Sequence, residues 1–156
     1  MNATICGKEG LMTTQSKPEF KVIVAGSRSI NDYQLLKEVM VKSNAAFKAT
    51  QIISGHAKGV DQLGERWGKD HKIPVLVMPA KWNDLDVPGA VIEVKQGDWD
   101  GYYNSRAGVQ RNEQMGDIAD AAVILWDGKS NGTRHMIDYM KKLGKKVYVH
   151  IAKQKT

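Results

Sequence analysis

The chain has 156 residues, 42% of them apolar and 26% charged, which suits one globular domain long enough to bury a core. The single cysteine, Cys6, excludes an internal disulfide and any multi-cysteine metal site, and it fits a reducing compartment. The net charge of +6, from 23 Lys and Arg against 17 Asp and Glu, favours anionic ligands, nucleotides or nucleic acid. No run reaches the roughly 18 apolar residues of a membrane span, and the N-terminus lacks the apolar stretch of a signal peptide, so a cytoplasmic protein is expected.

Residues 1–18 are polar and mixed, with Gly7, Gly10 and Pro18, and read as an extension outside the domain, which spans 19–152. Lys21–Ala25 is a short β-branched run bounded by Gly26, the pattern of a buried strand. Asn31 or Asp32 can cap a helix whose apolar positions are Leu35, Leu36, Val39, Met40 and Phe47. Gln51–Ile53 forms a second strand, and Val60, Leu63 and Trp67 mark one face of a helix from about Lys58 to Asp70. Pro74–Met78 gives a third strand. Residues 80–104 then break the rhythm, with Pro88, Gly89, Gly97 and Gly101 among Trp82, Trp99, Tyr102 and Tyr103. An insertion of that length and aromatic content is functional or partly ordered. A helix resumes near Ser105 and ends near Asp117, followed by a strand at 121–126, a helix at 131–143 and a last strand over Lys146–Ile151. Five strands alternating with four helices predict an α/β Rossmann-like three-layer sandwich, its five-stranded sheet mostly parallel with helices on both faces.

In such a sheet, ligands lie beyond the carboxyl ends of the strands. Three polar turns fall there. Gly26-Ser27-Arg28 offers a hydroxyl and a guanidinium. Ser54-Gly55-His56 with Gly59 and Asp61 lets a ligand approach the backbone, although a carboxylate in a first helical turn is also simply stabilising. Asp127 to Thr133, including Ser130, Asn131 and Gly132, joins a strand to a helix start, where free N–H groups and the helix dipole favour an anion. Neither G-x-G-x-x-G nor a complete Walker A loop is present, since Val123 stands where the first Walker glycine belongs. The spacing of His56, His71, His135 and His150 matches no metal site, and no G-x-S-x-G elbow surrounds Ser27, Ser54 or Ser130. No metal and no cofactor are expected. Trp67 and Trp126 fall within apolar periodicity and read as core. Trp82, Trp99, Tyr102 and Tyr103 either stack on a base or pack against a partner subunit.

Taken in order, VIVAGSR at 22–28, ISGHAKGVD at 53–61, PAKW at 79–82, AGVQRNEQM at 107–115 and DGKSNGT at 127–133 resemble the YspA-like branch of the SLOG superfamily. That superfamily joins the DprA/SMF DNA-processing proteins to the LOG phosphoribohydrolases, and its members occur widely in bacteria and their phages. The resemblance covers about residues 21–150. It implies the same fold, binding of nucleotides or their derivatives, and self-association into a dimer or larger homo-oligomer. LOG enzymes cleave the N-glycosidic bond of a nucleoside 5′-monophosphate, using a helical arginine and a P-G-G-x-G-T-x-x-E turn. Arg111, with Asn112 beside it, matches the arginine; Gly132-Thr133 matches the G-T that holds phosphate. Met136 stands at the position of the catalytic glutamate, and methionine cannot stabilise an oxocarbenium-like ribose. Arg111, Asp61 and Asp127 are the remaining catalytic candidates.

The expected function is therefore binding of a nucleoside monophosphate or an ADP-ribose-like ligand, as a sensor or sequestering protein. Phosphate is expected on the three turns and base under the loop aromatics. Hydrolysis of an N-glycosidic bond with a relocated carboxylate, and DprA-like binding of single-stranded nucleic acid, are the alternatives; membrane association is not expected.

Overall fold

A computed structural model describes residues 18–94 and 102–152. Residues 1–17, with Cys6, and residue Trp99 of the insertion lie outside that range, as do Gly97 and Gly101.

The sheet is built around β1 (Lys21–Gly26). Its residues alternate between two faces, as a pleated strand requires, and Val22, Ile23 and Val24 are all fully buried. A strand covered on both faces must be apolar throughout, which is why KVIVA has no polar alternation. β1 pairs in parallel with β2 (Gln51–Ser54) on one side and with β6 (Ala121–Trp126) on the other. β3 (Val75–Val77) and β7 (Lys146–Ile151) complete the sheet in the order β3-β2-β1-β6-β7. The five-stranded parallel sheet and its alternation with helices match the expected sandwich.

One face packs on α1 (Tyr33–Lys42) and α3 (Val60–Asp70), where Val22, Val24, Val123 and Leu125 meet Leu36, Met40, Leu63 and Trp67. The other packs on α4 (Ala107–Ile118) and α5 (Asn131–Lys142), where Ile23, Ala25 and Ile124 meet Met115, Met136, Ile137 and Met140. Burying a side chain of this size stabilises by about 1.5–3 kcal/mol. Trp67 is 1% exposed; Trp126 is half-buried against the second cluster and donates its indole N–H to Ser130 O.

Two expectations change. The helix carrying Leu35 to Phe47 is two helices, because α1 ends at Lys42 and α2 (Ala45–Lys48) follows a kink at Asn44, whose φ of 64° no α-helix accommodates. The insertion contributes a β-hairpin of β4 (Ile92–Val94) and β5 (Tyr102–Asn104), with Ile92 opposite Asn104. The start of α1 follows its expected cap, since the Asp32 carboxylate accepts from Leu35 N–H at 3.1 Å.

The chain leaves β1 to build α1, β2, α3 and β3 on one side, then returns through α4 to build β6 and β7 on the other. Strand order thus reverses between β1 and β6, and their carboxyl ends open a crevice there. Gly26 closes its base. A Cβ at Gly26 would lie 2.0 Å from Leu125 O and 2.8 Å from a Val60 methyl. Gly26→Ala is expected to destabilise the fold by at least the upper end of the roughly 1–3 kcal/mol typical of overpacking, measured as a fall in urea midpoint at unchanged m. An unshifted midpoint would show that β1 and β6 can separate.

Candidate functional site

The three turns meet at the crevice. Asp127 N–H donates to Ser27 Oγ at 2.9 Å, tying the third turn to the first across 100 residues of sequence. The second turn touches the first at Gly59, which has φ of 81° and whose Cβ, if present, would lie 2.5 Å from Ser27 O. Only glycine satisfies both conditions. Arg111 reaches from α4 to the second turn, donating through Nη1 to Gly55 O and through Nε to Asn112 Oδ1 at 3.1 Å. Its Nη2 has no protein partner among the described residues.

Between these elements lies a cavity of about 470 Å³, within the range of small-molecule sites. Its apolar surface comes from Ala25, Met115 and Met136, and Trp82 stands on one wall. Its polar lining includes Arg28, Asp61, Arg111, Asn112 and Asp127, together with Ser130 and Thr133 at the start of α5. Gly26 and Gly132 line it as well.

The other residues expected at a ligand occupy supporting places. Ser27 holds Asp127 in position. Ser54 is fully buried and donates to Glu65 Oε2 at 2.6 Å. Gly55 is packed between Arg111 and Asp61, since a Cβ there would lie 2.4 Å from Arg111 Nη1. His56 has a left-handed backbone, φ 60°, and its Nδ1 faces Glu65 Oε2 at 2.9 Å rather than the cavity lining. Asn131 is exposed and absent from the lining.

Burial governs the charges. Asp61 is 5% exposed, and desolvation raises its carboxyl from 3.8 to about 6, against the opposing pull of Ala57 N–H and Arg111. Burial lowers Arg111, with the neighbouring Arg28 guanidinium acting in the same direction and Asp61 opposing. Asp127 is held below the ordinary carboxylate range, first by the N–H of Lys129 and then by that of Ser130. Arg28 is exposed and forms no ion pair among the described residues. Among those residues, no cluster of His, Cys, Asp and Glu has the arrangement to hold a metal ion.

Asn104 is the residue that sequence reasoning missed. It is fully buried, and its Oδ1 accepts from Val91 N–H at 3.1 Å and Arg106 N–H at 3.0 Å. Its Nδ2 donates to Gln110 Oε1 at 2.7 Å, and Gln110 donates in turn to Pro88 O at 3.1 Å. Its own N–H donates to Trp82 O at 2.7 Å. The side-chain amide thus straps the insertion to α4, and the main-chain N–H anchors Trp82, whose ring lies above Gly108. The only signal in the sequence was an asparagine just before a helix start, a common enough occurrence to pass unnoticed.

Residues 20–84 match the family model described as YspA, cpYpsA-related SLOG family. This assigns that segment, with its first two turns and Trp82, to the YspA-like branch of the SLOG superfamily, as the resemblance implied. Among solved structures, DNA processing protein A (DprA) from Streptococcus pneumoniae matches with a TM-score of 0.59 at 15% identity, over 84% of this chain and 50% of that one. The likeness is therefore one of fold, and the chain spans half the length of that DprA. No curated protein sequence matches. No helix among the described residues is long and apolar enough to cross a membrane.

Two outcomes are expected. Asn104→Ala removes the acceptor of two backbone N–H groups, about 0.5–1.5 kcal/mol each, so amide exchange at Val91 and Arg106 should accelerate while β1 stays protected; uniform exchange would deny the strap. For Asp61, a carboxyl raised in the folded state favours the protonated fold. That stability is full below about pH 4 and lost as pH rises through 6. From pH 7 to pH 5 the parent should gain about 1 kcal/mol over Asp61→Asn in urea melts. A difference that does not change with pH would mean Asp61 is hydrated.

Proposed function

We propose that the crevice binds a nucleotide or nucleotide-derived ligand, a nucleoside monophosphate or an ADP-ribose-like molecule, as a sensor or sequestering protein. The observation that carries this reading is the pair Arg28 and Arg111. Two guanidiniums line one cavity; the Asp61 carboxylate partly offsets the charge on Arg111, while Arg28 forms no ion pair among the described residues. A bound phosphate pairs with Arg28 and with the edge of Arg111 left by its bonds to Gly55 and Asn112. Trp82 offers a ring for the base, and the Met115 and Met136 side chains offer an apolar surface of suitable chemistry.

Met136 is buried against the cavity where a LOG enzyme has its glutamate, and the carboxylates in the lining are Asp61 and Asp127. Binding without turnover is therefore the simpler reading. A second reading has its own support in the DprA fold and the +6 charge: the nucleotide belongs to a single-stranded nucleic acid.

Arg111→Ala is expected to weaken AMP or ADP-ribose binding by about tenfold to a hundredfold, the range of a charge-assisted pair, with the circular dichroism spectrum unchanged. Equal affinity in the variant would refute the site. Salt-dependent binding of an oligonucleotide, with no response to the mononucleotides, would select the second reading instead.

A further inference from the structure

The two carboxylates of the crevice differ in kind. Asp61 is enclosed. Asp127 stands at the start of α5, where the resemblance places phosphate. There its Oδ1 accepts from Lys129 N–H at 2.8 Å and Ser130 N–H at 2.9 Å. Ser130 Oγ accepts from Thr133 N–H at 3.4 Å and from the Thr133 hydroxyl at 3.1 Å. The amides of Lys129, Ser130 and Thr133 are thus already engaged by the chain's own carboxylate and hydroxyl, which leaves those of Asn131 and Gly132 as the donors of this helix start. A phosphate seated there would face the like charge of Asp127.

The outer oxygen of Asp127 is differently placed. It meets the Ser29 hydroxyl at 3.5 Å, the limit of hydrogen bonding, and the Ser27 hydroxyl adds to the stabilisation of the carboxylate. An ionised carboxylate is an acceptor only, so its complement in a ligand is a donor, and the donors of a nucleotide nearest its phosphate are the ribose hydroxyls. The guanidiniums of Arg28 and Arg111, which line the same cavity, attract the phosphate away from it.

Building on the nucleotide reading above, we infer that Asp127 accepts a ribose hydroxyl, so that the site selects ribonucleotides over 2′-deoxyribonucleotides, and that the phosphate lies against Arg28 and Arg111 instead of on the start of α5. Asp127 is then a specificity determinant.

The test is calorimetric titration with AMP, GMP and CMP, their 2′-deoxy counterparts and inorganic phosphate, on the parent and on Asp127→Asn. Asparagine keeps the Oδ1 acceptor, so the turn survives, but removes the charge. The parent should bind at least one ribonucleotide about tenfold more tightly than its deoxy counterpart, the discrimination of one charge-assisted hydrogen bond. The variant should lose that preference and bind inorganic phosphate at least as well as the parent does. Equal ribo and deoxy affinities in the parent, which need no variant, would sink the assignment while leaving the crevice reading intact. So would a preference that survives in the variant. If neither these nucleotides nor ADP-ribose binds, both readings fall.

Discussion

Everything at the crevice depends on how closely β1 and β6 approach at their carboxyl ends. Gly26 lies against Leu125 O with no space for a methyl group, and Ser27 N–H donates to that same carbonyl at 3.0 Å. This contact sets the separation of two strands whose connecting helices lie on opposite faces of the sheet. It delivers the Ser27 hydroxyl to the Asp127 amide, and it brings Gly59 against the first turn. Without a side-chain-free residue at the end of β1, the first and third turns could not share one cavity. The apolar layers on either face hold the strands in place, but this contact decides where their ends meet.

The insertion adds a wall to that frame. It follows β3 and returns to α4, so a flexible segment here would leave the cavity open on one side. Asn104 anchors the described parts of the insertion, accepting from Val91 and Arg106 N–H with one buried side-chain amide and donating its main-chain N–H to the Trp82 carbonyl. A buried polar group with every partner in place holds one arrangement firmly, because any alternative leaves donors unpaired. Trp82 is therefore part of a fixed wall, anchored through its carbonyl.

The sheet was legible because its signal is physical and local. β-branched runs ended by glycine, alternating with helical periodicity, leave few topologies once crossovers are right-handed. β6 and β7 fall at the expected residues, and the start of α1 follows from Asp32. The split at Asn44 was not legible, because apolar spacing continues across it while the backbone turns. The cavity was legible only in part. The glycine-bearing turns and Arg111 were recognisable by their chemistry and by their place after strands. Glu65 and Asn104 were not, because each acts on a partner distant in sequence: Glu65 on Ser54 and His56, and Asn104 on Val91, Gln110 and the Trp82 carbonyl. His56 shows the converse. Its position in a turn suggested a ligand, but a left-handed backbone and the Glu65 carboxylate orient it elsewhere.

The bond between Ser27 and Asp127 spans 100 residues and joins the two sides of the switch point. Arg28 belongs to one side, and Arg111 and Thr133 to the other. The cavity consequently has no existence in either half of the chain alone. A ligand held there has affinity for the complete fold alone, so its binding energy acts against the global opening of the domain rather than the fraying of one element. Occupancy and the cohesion of the two halves become a single thermodynamic quantity.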